Sequence, residues 1–113
     1  MSDGSFDADV RQLVTMRARG CCELCGGGAG EFHHRRPRGS GGTSNPAIGL
    51  ASNCLLLCDV DHRRIESNRQ WARERGYLVS QWAEPCEVPV YLRRRGWVLL
   101  DMYGNTTRHD QTA

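Results

Sequence analysis

The sequence predicts a small α+β domain, and three observations carry that prediction. An amphipathic helical pattern runs over 7–19. A Cys22-x-x-Cys25 turn is closed by Gly26-Gly27-Gly28, and Cys58 follows downstream with His62 close behind. Two apolar runs, 88–92 and 97–102, flank Arg93-Arg94-Arg95-Gly96. A chain of 113 residues is one domain, 1–113, with a single modest core. Its 39% hydrophobic and 25% charged residues are ordinary globular values and argue against wholesale disorder. Its longest apolar runs, Leu55-Leu56-Leu57 and Trp97-Val98-Leu99-Leu100, fall far short of the roughly 20 residues of a membrane span, so no membrane partner is expected. The first residues carry Asp3, Asp7 and Asp9 and lack the basic-then-apolar order of a secretory signal. A reducing cytoplasm is the expected compartment.

The elements follow in order. Residues 1–6 are expected as a loose tail. Over 7–19, Val10, Leu13, Val14 and Arg17 share one helical face. Asp opens this helix and Arg ends it, which complements the helix dipole, and Gly20 is its expected stop. The knuckle takes 21–28. A short strand is expected over 31–36. Residues 37–46 contain two Pro, three Gly and two Ser and read as a loop. The apolar run 54–58 suits a buried strand or the entry to a helix. Residues 59–76 are polar, Arg-rich and free of Pro and Gly until their end, which predicts one helix. Glu84-Pro85 marks a turn. The runs 88–92 and 97–102 pair as a β-hairpin. The tail 105–113 is expected to be loose, and Trp71, Trp82 and Trp97 are expected in core or ring packing.

The net charge of +2 decides little, but all fifteen basic residues are Arg. Codon bias explains that in part. The guanidinium fork also matches phosphate oxygens bidentately. Over 33–75 eight Arg face four acids, so positive charge is concentrated mid-chain, as an anionic partner requires.

Six Cys occupy 21, 22, 25, 54, 58 and 86. In a secreted chain they would suggest disulfides. The C-x-x-C on a glycine turn instead resembles a zinc knuckle, with Cys22, Cys25 and Cys58 as ligands. Cys54 reads as a small core residue. Further residues point to chemistry. His33 and His34 are adjacent, Asn53 follows nineteen positions after His34, and His62 follows nine after Asn53. Adjacent residues on a strand face opposite ways, so one His can bind metal while the other faces a substrate. That division of labour suits phosphodiester hydrolysis.

His33-His34, Asn53 and His62, framed by Cys22-x-x-Cys25 and Cys58, resemble the HNH endonucleases and their ββα-metal motif. The strings HHRRPRGSGG, SNCLLLCDVDHRRIESNR and GYLVSQ…P…VPVYLRRRGWVLLD are similar to the small HNH proteins of actinobacterial phages. The resemblance covers roughly 17–101. It implies a metal-dependent endonuclease that cuts DNA to 3′-hydroxyl and 5′-phosphate ends. By the resemblance, His34 is the general base, Asn53 braces the loop that orients it, and His33 and His62 hold a divalent metal. A two-His site takes Mn²⁺, Ni²⁺ or Zn²⁺ more readily than the oxygen-loving Mg²⁺. Arg35, Arg36, Arg38 and Arg63 are the expected DNA contacts, duplex DNA the expected substrate, and a phage terminase a partner by resemblance alone.

The Cys frame departs from the family pattern, because Asp61 stands where a fourth Cys is usual. Three readings stay open: Asp61 is the fourth zinc ligand, Cys21, Cys54 or Cys86 substitutes, or the zinc is lost. A different class of function also stays open, a non-catalytic zinc-ribbon-like module that binds DNA or protein. Such a module needs the Cys frame and the Arg residues but not His34 or Asn53.

Overall fold

Asp7 opens the first helix, α1 (Ala8–Ala18), by accepting the Val10 backbone N–H at 2.9 Å. The computed structural model describes residues 5–37 and 46–109. Val10, Val14 and Arg17 form the buried face of α1, as the helical period predicts. The helix does not wait for Gly20 to stop. Arg19 itself takes the left-handed conformation at φ 56°, and its N–H caps the Met16 carbonyl. Gly20 follows at φ 72°, so two successive left-handed residues swing the chain into the knuckle. Left-handed backbone costs a non-glycine residue about 1 kcal/mol, which the cap hydrogen bonds offset.

Strands β1 (Glu31–His34) and β2 (Cys54–Leu57) pair antiparallel, with Glu31 opposite Leu57 and His34 opposite Cys54. Directly opposed residues share a face. Cys54 and Leu56 face α1, where they pack with Phe6, Val10, Val14 and Ala51. Leu55 and Leu57 face the other way, into the larger core of Ile65, Ala72, Leu78, Val90, Val98 and Leu100. Both faces of β2 are therefore covered, which explains its unbroken apolar run. Phe6 is buried, so the expected loose tail over 1–6 does not extend to it.

The helix expected over 59–76 is two helices, α2 (Asp59–Ser67) and α3 (Arg69–Glu74). Asn68 breaks it at φ −134°, ψ 61°, with its Nδ2 donating to the Arg64 carbonyl at 3.1 Å. Asn side chains compete in this way with helical bonding. The bend turns Ala72 into the core. Gly76 ends the segment at φ 82°. A Cβ there would sit 2.0 Å from the Pro89 carbonyl oxygen, so only glycine fits.

The C-terminal sheet has three strands, not two. β3 (Val90–Leu92) and β4 (Gly96–Leu100) form the expected hairpin, and β5 (Thr106–Arg108) adds to β4 with Leu100 opposite Thr106. The expected loose tail over 105–113 is thus corrected at β5. The Asp101 carboxylate accepts the N–H groups of Tyr103 and Asn105, both at 2.9 Å, and turns the chain into that strand. Trp71 packs against Tyr77 and Trp97 against Tyr91, but Trp82 is 87% exposed and not core. Among the described residues no helix is long and apolar enough to cross a membrane.

One buried ion pair joins α1, the knuckle and β2. Arg17 Nε and Nη2 donate to the two Glu23 carboxylate oxygens at 2.9 and 3.0 Å. The Arg17 guanidinium also reaches the carbonyls of Ala51 and Cys54, while Glu23 Oε2 accepts the Leu56 N–H at 3.0 Å. Removing one partner strands the other charge in the core. Glu23→Ala is expected to lower unfolding free energy by about 3–5 kcal/mol. Loss of the exposed Arg63–Asp59 pair is expected to cost below about 1 kcal/mol, and urea unfolding of both variants checks the contrast.

Candidate functional site

The knuckle turn is built by backbone bonds. Cys22 N–H donates to the Gly27 carbonyl at 2.7 Å and Gly26 N–H to the Cys22 carbonyl at 2.8 Å. Cys58 is the N-cap of α2, and its Sγ accepts the Asp61 N–H at 3.4 Å. Gly27 N–H points likewise at Cys25 Sγ, also at 3.4 Å. The two halves close on one point. Cys25 Sγ lies 3.8 Å from Cys58 Sγ. Asp61 Oδ2 lies 3.2 Å from Cys22 Sγ and 3.4 Å from Cys58 Sγ. A tetrahedral centre with Zn–S near 2.3 Å requires sulfurs roughly 3.8 Å apart, with slightly shorter S···O edges. These three spacings lie close to those edges.

Cys22, Cys25, Cys58 and Asp61, whose ligand atoms all lie within 4.8 Å of one another, can hold a metal ion and suit a structural zinc. Of the open readings for the fourth ligand, Asp61 is the one that joins the three sulfurs. Cys54 packs on the α1 face of β2, away from Cys22 in the other core cluster. Burial pushes the Cys22 thiol up to about 12, so the metal-free cluster keeps that proton and metal binding must release it. Burial also raises the Asp61 carboxyl, but hydrogen bonds from the Cys22, Cys25 and Cys58 thiols outweigh it and hold it below its usual range.

His33 and His62 come together on the α2 face of the β1–β2 hairpin, with ring centroids 5.1 Å apart and ring planes at 73°. His33 is buried, and its Nε2 donates to the Tyr77 carbonyl at 2.7 Å. That bond leaves Nδ1 with its lone pair. His62 Nδ1 donates to Glu31 Oε1 at 2.5 Å, which turns Nε2 away from Glu31. Carboxylates and carbonyls orient metal-binding imidazoles in this way. Burial pulls His33 down to about 4, against the opposing pull of the Tyr77 bond, so the ring is neutral at pH 7.

His34 lies on the other face. Its strand partner is Cys54, on the α1 side, and its ring stacks on Phe6 at 4.0 Å and 18°. Asn53 is fully buried. Its Oδ1 accepts the Arg36 N–H at 2.7 Å, and its Nδ2 donates to the Arg36 and Ile48 carbonyls at 3.1 and 2.9 Å. It locks the chain two residues beyond His34.

The arginines divide. Arg35 is fully buried and donates to the carbonyls of Gly76, Ser52, Pro85 and Val88. It is a structural strut, which corrects its expected role as a DNA contact. Burial pulls its pKa down, and the four carbonyl dipoles compensate its charge. Arg36 is half-buried, 4.0 Å from Glu84. Arg63 is exposed and paired with Asp59 at 2.8 Å. Arg38 lies outside the described residues.

The sequence reading missed Glu31, Phe6 and the Tyr77 carbonyl. Glu31 had a signal, since it precedes His33 by two and a strand puts such residues on one face. The contacts of Phe6 and of a main-chain carbonyl left none. No family model matches the chain, and no curated protein or solved structure matches it.

Two outcomes test the site. The dialysed protein is expected to retain one zinc ion per chain. In chelator competition Asp61→Ala should weaken zinc binding by at least the roughly 10- to 100-fold seen when only an outer partner is lost, and Asp61→Cys should restore it. In the metal-free protein, neutral burial of His33 contributes about 3 kcal/mol of stability above pH about 6.5. The unfolded chain takes the proton first, so that stability drains as pH falls towards 4. Thermal melts in chelator should show this slope for wild type, and His33→Gln should remove it.

Proposed function

We propose that the chain is a metal-dependent HNH-type endonuclease that hydrolyses DNA phosphodiester bonds in the cytoplasm. One observation carries the proposal. His33 on β1 and His62 on α2 meet 5.1 Å apart, each with one ring nitrogen committed to an oxygen and the other not used by that bond. Two oriented imidazoles suit Mn²⁺, Ni²⁺ or Zn²⁺ better than Mg²⁺. A strand pair followed by a helix that brings the second His also agrees with a ββα-metal fold.

A divalent cation held by His33 and His62 would neutralise charge building on the phosphate and the leaving oxygen. The other steps belong to this chain. His34 takes the proton of the attacking water, as an imidazole general base does. Water oxygen bonds to phosphorus, the bond from phosphorus to the 3′ oxygen breaks, and that oxygen takes a proton from solvent, leaving 3′-hydroxyl and 5′-phosphate ends. Asn53 holds the backbone beyond His34, and so the position of the base. The Cys₃Asp cluster, as structural zinc, fixes the start of α2 and with it His62. Arg36, Arg38 and Arg63 are the proposed backbone contacts. By the resemblance to phage proteins, a packaging terminase is the proposed partner.

One observation favours a second reading. His34 stacks under Phe6 on the face opposite His33 and His62, and a non-catalytic zinc-ribbon-like binding module needs no base at all. Supercoiled plasmid with zinc-loaded protein and added Mg²⁺, Mn²⁺, Ni²⁺ or Zn²⁺ separates the two. The nuclease reading expects nicking that EDTA stops, that His33→Ala and His62→Ala abolish, and that His34→Ala slows by about 10²- to 10⁴-fold. A gel shift without nicking in any of the four metals contradicts the nuclease and supports the binding module.

A further inference from the structure

The C-terminal end of α1, the knuckle and the β3–β4 turn enclose a pocket of about 230 Å³. It shares no residue with His33, His34, Asn53 or His62. Five arginines line it: Arg17, Arg19, Arg93, Arg94 and Arg95. The one carboxylate in the lining, Glu23, is spent on Arg17 in the buried pair. The ion pairs among the described residues use none of the other four. Four arginines therefore line one concavity whose only carboxylate is already paired.

Two of the four are held in place. Arg93 Nη1 donates to the Cys25 carbonyl at 2.6 Å. Arg95 donates through Nη2 to the Arg17 carbonyl at 3.0 Å and through Nη1 to Thr106 Oγ1 at 3.2 Å. Gly26 lets Arg93 lie against the knuckle, since a Cβ there would come within 3.1 Å of Arg93 Nε. Arg19 and Arg94 are exposed, and their side chains make no hydrogen bond or ion pair among the described residues. Both also line the pocket. A pocket of this volume is several times the roughly 30 Å³ share of one water, so it admits a tetrahedral oxyanion with its ester oxygens. Guanidinium forks match such oxygens bidentately, and two arginines already fixed lose little freedom on binding. A metal-loaded Cys₃Asp cluster beside the pocket carries net negative charge, and the four guanidiniums outnumber it.

We propose that this pocket is a phosphate-binding site that grips the backbone of a nucleic acid, separate from the histidine cluster. It reads no sequence, because phosphate contacts position a duplex without identifying its bases.

The test uses full-length, zinc-loaded protein with no further divalent cation, so that binding is read without cutting. Fluorescence anisotropy of a short labelled duplex is followed against salt for wild type and for the Arg19→Ala/Arg94→Ala double variant. Because those two side chains have no structural partner, the variant should keep the wild-type melting midpoint and zinc content; Arg94→Glu gives a second readout from a single position. Affinity is expected to fall about tenfold in the double variant, and the slope of log K on log salt to flatten by close to 2. A second arm adds inorganic phosphate at ionic strength matched with chloride and reads the melting midpoint. A phosphate-specific rise that the double variant loses, with DNA affinity unchanged, assigns the pocket to free phosphate rather than a backbone. Unchanged DNA affinity and slope in both variants, with no phosphate-specific rise in the wild type, overturns the proposal.

Discussion

Arg17 and Glu23 meet with their side chains 0% and 3% exposed, and each also holds backbone that would otherwise go unsatisfied. Glu23 lies inside the knuckle, between Cys22 and Cys25. Its carboxylate reaches across to the Leu56 N–H, while its own N–H donates to the Leu56 carbonyl. The knuckle is thereby stitched to β2 as if it were a further strand. Arg17 does the same from α1, through the carbonyls of Ala51 and Cys54. Cys58, just after β2, can then meet Cys22 and Cys25 without spending loop entropy at the metal. The cluster geometry thus follows from a salt bridge outside the cluster.

β2 is the second organising constraint. Its two faces pack against different cores, so the alternation of β1 becomes a sorting device. Glu31 and His33 turn towards α2 and meet His62, while Phe32 and His34 turn towards α1 and Phe6. A one-residue register slip would exchange the two histidines. Asn53 guards against such a slip, since its bonds to Arg36 and Ile48 pin the chain as it leaves β1. Arg35 adds four carbonyl bonds from three separate segments. The residues around the histidine pair therefore serve first to hold it rigid, as a site for chemistry requires.

Much of this was legible in the sequence. The α1 face of Val10, Val14 and Arg17, the strand over 54–57 and the hairpin about Arg93–Gly96 follow from periodicity and turn chemistry. The C-x-x-C spacing with Cys58 and Asp61 pointed to the cluster before its geometry was known. The misses share a physical cause. Composition could not tell that Asn68 would break a polar helix, because the break depends on its side chain bonding back to Arg64. β5 carries no apolar pattern, as Thr106–Arg108 is an edge strand that pairs by backbone alone. Arg35 reads as a surface charge in any sequence, and only the fold shows four carbonyls converging on it. Trp82, apolar in composition, points into solvent.

Two clusters of metal-binding side chains differ in character. One is a sulfur-rich clamp, Cys22, Cys25, Cys58 and Asp61, that fixes the knuckle to α2. The other is the His33–His62 pair, proposed above to hold the catalytic cation, with His33 buried and His62 half-buried. Anomalous diffraction from crystals of zinc-loaded protein soaked in Mn²⁺ tests both at once. The expected result is a zinc peak within the Cys₃Asp cluster and a manganese peak between the rings of His33 and His62. Manganese bound nowhere near those two rings, or a Cys cluster that holds no zinc, would contradict it.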